Sequence, residues 1–312
     1  MDRIRPLLLA LFIAGIGDWA GIAAAQTASP PVAYFCPMHP DVTDKAPGTC
    51  SRCGMKLVPG DPWNEREYLL DVEVDPAAPV PGRRARFRLT VSDPDTKAPV
   101  RDFAVVHDRK FHLFVVSQDL EDFAHIHPEQ ESDGSWTIDH TLARPGYYRI
   151  YADMLPIGGT PQVLARTLAT AKHDGDLTPA VPELKADTGF VKTAGATTVQ
   201  LTVLPTSGIV AGRTVKLQYE LKEGDRPVTD LEPYLGAWGH TLVLSEDALE
   251  YVHAHPLEYL PADATDIKGG PTVTFDATFP RPGRYRLWTQ FKRRGVVSTT
   301  SFTVEAVAPS YR

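Results

Sequence analysis

The sequence predicts a mainly β protein: a short, turn-rich, zinc-ribbon-like segment followed by two tandem immunoglobulin-like β-sandwiches. Three observations predict it. The 312 residues include 28 prolines and 23 glycines, and no window sustains a 3.6-residue apolar period, which favours many short strands over long helices. A pattern of histidines and alternating apolar residues occurs twice, at an offset of 128. All three cysteines, Cys36, Cys50 and Cys53, crowd into one short stretch near the N-terminus.

Taken in order, residues 1–25 read as a secretory signal. Arg3 and Arg5 give a positive start, Leu7 to Ile16 an apolar run, and Ala23-Ala24-Ala25 a small-residue cleavage site before Gln26. The run is too short to span a bilayer, and no other stretch is apolar enough to do so. No cysteine beside the cleavage site offers a lipid anchor. The expected mature protein is periplasmic or secreted, with no membrane span. The full chain carries a net charge of −7, and the signal removes two arginines together with Asp2 and Asp18, so that charge persists. An acidic exported chain is a poor candidate for nucleic acid.

Residues 34–60 hold Cys36-x2-His39 and Cys50-x2-Cys53 with ten residues between the pairs, and Met38 and Met55 beside them. A pair two residues apart on a tight turn can aim both side chains at one ion, and two such knuckles close a four-ligand tetrahedral site. Pro37, Pro40, Pro47, Gly48 and Gly54 supply the turns. So short a segment needs an ion or a cross-link to be ordered. Two simpler outcomes compete: a Cys50–Cys53 disulfide that leaves Cys36 odd, or a purely structural zinc. Zinc and monovalent copper or silver all suit thiolates, while the two thioethers lean toward a soft monovalent ion.

Cys-Pro-Met-His-Pro followed by Pro-Gly-x-Cys-x-x-Cys-Gly-Met-x-Leu resembles the heavy-metal-binding domain of copper and silver handling systems. That domain is found at the N-termini of some copper-exporting P-type ATPases and of some adaptor subunits of heavy-metal efflux pumps. The resemblance covers under a tenth of the chain. It implies a metal ion, Cu(I), Ag(I) or zinc, held by Cys36, Cys50 and Cys53 with His39 or the methionines Met38 and Met55 completing the shell, and an efflux-system component as partner. Ser51-Arg52 departs from the family, which often has proline after the first cysteine of the pair.

The repeat occupies 61–171 and 196–308, with a linker rich in Pro, Asp, Gly and Ala at 172–195. Phe111 to Glu129 reappears as Gly239 to Glu258, and Ala143 to Met154 as Pro280 to Phe291 at an offset of 137, so the second copy has about nine extra residues near Leu257 to Pro271. Each copy reads as seven short strands. They are 68–74, 84–92, 112–117, 123–127, 136–141, 147–154 and 163–169 in the first, and 198–204, 215–220, 240–244, 250–255, 272–279, 285–291 and 296–305 in the second. Seven strands in about 110 residues predict a sandwich, and Pro-Gly-x-Tyr places Tyr148 and Tyr285 where a tyrosine corner would lie. The paired sandwiches resemble repeat domains that accompany this metal motif in bacterial exported proteins, which implies no activity.

Six of the ten histidines fall at matched positions: His112, His125 and His127, then His240, His253 and His255. A turn at Asp119-Leu120 sets His112 opposite His127 and Phe114 opposite His125, about 5 Å apart across the strands. A turn at Asp247-Ala248 does the same in the second copy. Each triad is a candidate site for a divalent ion such as Cu(II) or Zn, at a sandwich end open to solvent. Asp153 is a candidate fourth ligand in the first copy, with Gln290 in its place in the second. The competing reading is that these histidines cap a core edge, because Phe114, Val116 and Phe123 share their face. His107, His140 and His173 have no repeat partner and read as surface or structural residues.

The chain has no Gly-x-Ser-x-Gly elbow and no His-Glu-x-x-His helix, and the sandwich segments have no cysteine for a blue-copper site. No acid–base partner is repeated with the histidines, so no enzyme is expected. The expected function is metal sequestration or transfer. The alternative is a structural or interaction module whose small motif holds only a folding zinc.

Overall fold

The computed structural model describes residues 34–171, 173, 183–254, 256–258, 260 and 267–310. The leader at 1–25 and His255 lie outside the described residues, as do most of 172–182 and of the second-copy insertion. Among the described residues every regular element is a strand, and no helix is long and apolar enough to cross a membrane.

The small motif is a three-stranded sheet of two-residue strands, β1 (Tyr34–Phe35), β2 (Thr43–Asp44) and β3 (Val58–Pro59), with β1 in the middle. Phe35 and Val58 are buried against Ala104 and Leu155 of the first sandwich. The approach is close at Gly60: a Cβ there would stand 3.0 Å from the Phe35 ring and 3.3 Å from the Gly159 carbonyl, and its φ of +152° suits glycine. Asn64 Nδ2 donates to the Gly158 carbonyl at 3.2 Å beside it.

The first sandwich contains β4 (Leu69–Asp75), β5 (Arg84–Ser92), β6 (Phe111–Ser117), β7 (Phe123–Ile126), β8 (Glu129–Gln130), β9 (Trp136–Thr141), β10 (Tyr147–Met154) and β11 (Gln162–Ala169). One sheet has the order β4-β5-β9-β8 and the other β11-β10-β6-β7. This is the immunoglobulin arrangement of an ABED sheet facing a CFG sheet, here with one extra strand beside C. Period-two alternation explains the core: Ala85, Phe87, Leu89 and Val91 of β5 face inward while Arg84, Arg86 and Arg88 face out. Tyr148 makes the tyrosine corner, its hydroxyl accepting from the Arg144 N–H at 3.1 Å and donating to Asp122 Oδ2 at 2.7 Å.

The second sandwich repeats the plan. Its strands are β12 (Val191–Ala194), β13 (Thr197–Leu204), β14 (Ile209–Val210), β15 (Thr214–Glu223), β16 (Arg226–Pro227), β17 (Leu231–Glu232), β18 (His240–Ser245), β19 (Tyr251–Ala254), β20 (Thr272–Thr278), β21 (Gly283–Arg293) and β22 (Val296–Val307). One sheet runs β12-β13-β15, with β20 and β16 also on β15; the other runs β14-β22-β21-β18-β19, with β17 on β21. Tyr285 donates to the Arg281 carbonyl at 2.7 Å, a second tyrosine corner. The sequence reading differs at 172–195, taken there as linker. Val191–Ala194 is instead an edge strand on β13, and Leu184 is buried between the sandwiches. An Ala-Gly-Ala turn followed by β-branched residues folds that end of the segment back onto the sheet.

Strands β6 and β18 depart from alternation, because every residue in both is buried. Phe111, Leu113 and Val115 face the first core, while Phe114 and Val116 pack with Tyr151, Leu242, Leu244 and Trp288. The outer faces of the two CFG sheets therefore cover each other. Phe123 stacks on Trp288 at 5.0 Å, and Tyr251 meets Tyr151 at 5.4 Å. Phe123 and Tyr251 are repeat equivalents, as are Tyr151 and Trp288, so the contact is reciprocal.

Candidate metal centres

In the small motif, each knuckle is closed by its own backbone. The His39 N–H donates to the Cys36 carbonyl at 3.2 Å, and the Gly54 N–H to the Cys50 carbonyl at 2.8 Å. Gly54 sits at φ +73°, which turns the second knuckle. Four ligand atoms result, all within 4.8 Å of one another: Cys36 Sγ, His39 Nδ1, Cys50 Sγ and Cys53 Sγ. Cys36 Sγ lies 3.7 Å from Cys53 Sγ and 3.8 Å from His39 Nδ1, and Cys50 Sγ lies 3.5 Å from the same nitrogen. At 3.7 Å the two sulfurs are far beyond bonding distance, and all three cysteines are free thiols.

The sulfurs share charge. The hydrogen bond from Cys36 holds the Cys53 thiol down at about 5, and the same contact pushes the Cys36 thiol up. The Arg52 N–H also points at Cys50 Sγ, at 3.4 Å. Negative charge thus accumulates where a cation would sit. Met38 packs beside Cys36 and Cys50, while Met55 is half-buried and offers its backbone carbonyl to the Cys50 N–H at 2.7 Å. Arg52, in the stretch that departs from the family pattern, pairs with Asp41 of the other knuckle.

The histidines give a different picture from two separate solvent-facing triads. The hairpin register is the expected one, Phe114 opposite His125 and Leu242 opposite His253. Leu120 and Ala248 take the left-handed turn position at φ 58° and 55°, and Asp119 and Asp247 cap the turns by accepting backbone N–H groups. The histidine face, however, is neither a core edge nor an open end. It lies between the sandwiches, with His112 and His240 each 2% exposed. Rings from both copies converge there: His112 to His253 is 5.7 Å, His125 to His240 is 6.0 Å, and His240 to His253 is 5.6 Å. Covering the CFG faces draws the described histidines of both copies into one cluster, within which the ligand nitrogens of His112, His125 and His127 all lie within 4.8 Å of one another, as expected for the first triad.

His107, read as surface or structural, belongs to this cluster, with its ring 5.6 Å from His240 and 6.2 Å from His112. It lies on the turn before β6, where Leu235 stands in the other copy, and no repeat match marked it. His140 and His173 lie elsewhere, against Phe87 and Tyr147. Asp153 is not a fourth ligand of the first triad; its Oδ2 accepts from His253 Nδ1 and from the Tyr251 hydroxyl, both at 2.9 Å. Its counterpart Gln290 accepts from His125 Nδ1 at 2.8 Å. Each copy thus orients a histidine of the other.

Burial, reinforced by neighbouring imidazoles, favours the neutral form of His107, His112, His125, His127 and His240. It brings His112 down to about 4 and His127 to about 3, and holds His107, His125 and His240 well below the ordinary range. Burial works to raise the Asp153 carboxyl, but His253, His112 and Tyr251 together bring it below its usual value.

A family model described as a domain of unknown function, DUF8832, matches residues 67–172 and 192–308. The chain belongs to that family. A second model, the heavy metal binding domain, matches residues 33–59, so the DUF8832 pair is preceded by the motif that carries the four-ligand cluster. No curated protein matches the chain. Among solved structures, an Escherichia coli adhesin, FdeC, shares 9% identity over 82% of this chain and 68% of its own, with a TM-score of 0.24. A two-domain fibronectin type III segment of chicken tenascin shares 11% over 77% and 100%, at 0.22. Fibronectin(III)-like modules of Clostridium thermocellum CbhA share 13% over 78% and 98%, at 0.21.

Proposed function

We propose that this DUF8832 protein is an exported heavy-metal-binding protein. It holds a soft ion, Cu(I), Ag(I) or zinc, at the N-terminal knuckles, and sequesters it or passes it on in the periplasm or outside the cell. The observation that carries the reading is the convergence of Cys36, His39, Cys50 and Cys53 with the thiols uncoupled. Three sulfurs and one imidazole are a donor set for soft and borderline ions, and a thiol held near 5 is ready to ligate at neutral pH. The secretory leader in the sequence supports export, and the resemblance of the motif supports an efflux-system component as partner. The role is binding without catalysis.

A second reading has its own observation. Phe35 and Val58 anchor the knuckles to Ala104 and Leu155, so an ion there would also fix that docking, as a structural zinc does. Elemental analysis of the protein isolated from its native compartment, followed by competition with a Cu(I) chelator, separates the two. Copper or silver retained at one ion per chain supports handling of a soft ion. Zinc alone, resisting exchange with Cu(I), supports the structural role. A chain with no metal and a quantitative Cys50–Cys53 disulfide overturns both.

A further inference from the structure

The first triad gathers three imidazole nitrogens, His112 Nδ1, His125 Nε2 and His127 Nε2, in residues whose ligand atoms all lie within 4.8 Å of one another. His112 Nε2 lies 3.0 Å from the Val106 carbonyl oxygen, which can only accept, so the proton is on Nε2 and Nδ1 presents a lone pair. His125 Nδ1 lies 2.8 Å from the Gln290 side-chain amide, whose other end reaches Thr299 Oγ1 at 3.2 Å, so Nε2 is the nitrogen turned toward His112. Yet His112 Nδ1 and His125 Nε2 stand only 3.1 Å apart. Two ring nitrogens at this distance share either one hydrogen or one ion. His127 Nε2, 3.2 Å from His112 Nδ1, can bring a proton to one of them only.

A cation fits this spacing. Around a tetrahedral ion with metal–nitrogen bonds of 2.0–2.1 Å, ligand nitrogens stand about 3.3 Å apart, close to the spacing seen here. The outward N–H groups already have acceptors, a backbone carbonyl for His112 and a side-chain amide for His125, as metal-bound histidines require. A cavity of about 160 Å³ borders the cluster. Met38 of the knuckle, His112, His253 and Asp153 line it, and so do Arg109 and Lys110, whose positive charge Asp153 offsets in part.

We propose that His112 Nδ1, His125 Nε2 and His127 Nε2 form a second metal site, for a borderline divalent ion of the Cu2+ or Zn2+ class, built jointly by the two sandwiches because Gln290 of one orients His125 of the other. It differs from the knuckle site in donor type and stands without it. Imidazole nitrogen suits divalent copper or zinc, whereas the thiolates of the knuckle suit Cu(I), Ag(I) or zinc.

The test uses the full chain with Cys36→Ser, Cys50→Ser and Cys53→Ser, titrated with Cu2+ and followed by electron paramagnetic resonance. The expected result is one Cu2+ per chain with hyperfine splitting from imidazole nitrogens. In the same background His125→Asn/His127→Asn should abolish that signal. Gln290→Ala, which leaves all three imidazoles in place, should weaken binding at least tenfold, and circular dichroism establishes that each variant is folded. Absence of nitrogen splitting in the parent, or equal Cu2+ affinity in parent and Gln290→Ala, overturns the proposal. The converse protein, His125→Asn/His127→Asn with its cysteines intact, reports on the knuckle alone, so failure of one site is read separately from failure of the other.

Discussion

Single atoms decide what the knuckles can hold. Cys50 takes part through its sulfur, 3.5 Å from His39 Nδ1, while its backbone is already committed to Met55 and Gly54. Replacing that sulfur by a weakly ligating hydroxyl should remove the site without disturbing the turn. Cys50→Ser is therefore expected to lose the knuckle-bound ion, seen as one equivalent less by elemental analysis. The urea midpoint of the sandwiches should be unchanged, because the thiol cluster is separate from both sandwich cores. These four ligands were legible in sequence because two-residue spacing on a tight turn leaves little choice of geometry. His107 was not. Its role comes from a turn that delivers it to a neighbouring sheet, and no local pattern encodes that destination.

Strands were legible where alternation was long. Arg84–Ser92, Trp136–Thr141 and Tyr147–Met154 have the expected bounds, since apolar and polar residues alternate across them. Two-residue strands such as Glu129–Gln130 and Arg226–Pro227 are too short to carry a period, and they were missed. The tyrosine corners bind strands β10 and β21 to the loops before them, and they supply a clean test. Tyr285 is 1% exposed, and its hydroxyl both donates to the Arg281 carbonyl and accepts from the Arg281 N–H. Tyr285→Phe keeps the ring packing and removes both bonds, so it should cost about 1–3 kcal/mol. The check is a lower urea midpoint with an unchanged slope.

At the scale of the whole molecule, alternation tells which residues share a face but not what that face meets. Phe114, Val116 and the histidines were placed together correctly, yet their partner is a second sheet face rather than the sandwich's own core. Trp288 is the largest apolar side chain in that contact, 3% exposed and stacked on Phe123. Trp288→Ala should cost about 3–5 kcal/mol. It should also split one calorimetric unfolding transition into two, one per sandwich; a single transition at an unchanged temperature would mean that the sandwiches are not coupled through this face.

Acid should loosen the metal-free protein. Burial holds His107, His140 and His240 below their ordinary value near 6.5, so the unfolded chain binds protons that the folded chain refuses. Stability is then highest above pH 6.5 and falls as pH drops below it, before the carboxylates titrate. The urea midpoint of chelator-treated protein should be lower at pH 5.0 than at 7.5. His107→Leu, which copies Leu235 at the equivalent left-handed turn position, should narrow the difference.

The exchange of orienting groups between sandwiches has the pattern of an isologous dimer written into one chain. His125 is held by Gln290 and His253 by Asp153, equivalent positions answering each other across the contact. Two identical subunits would have to place the same residue at both positions, because a twofold axis copies every substitution. Covalent fusion lifts that rule. An amide now faces one imidazole and a carboxylate the other, so two histidines of common ancestry have different partners within a single cluster. A tethered pair can tune its two halves one residue at a time, which a symmetric assembly cannot do.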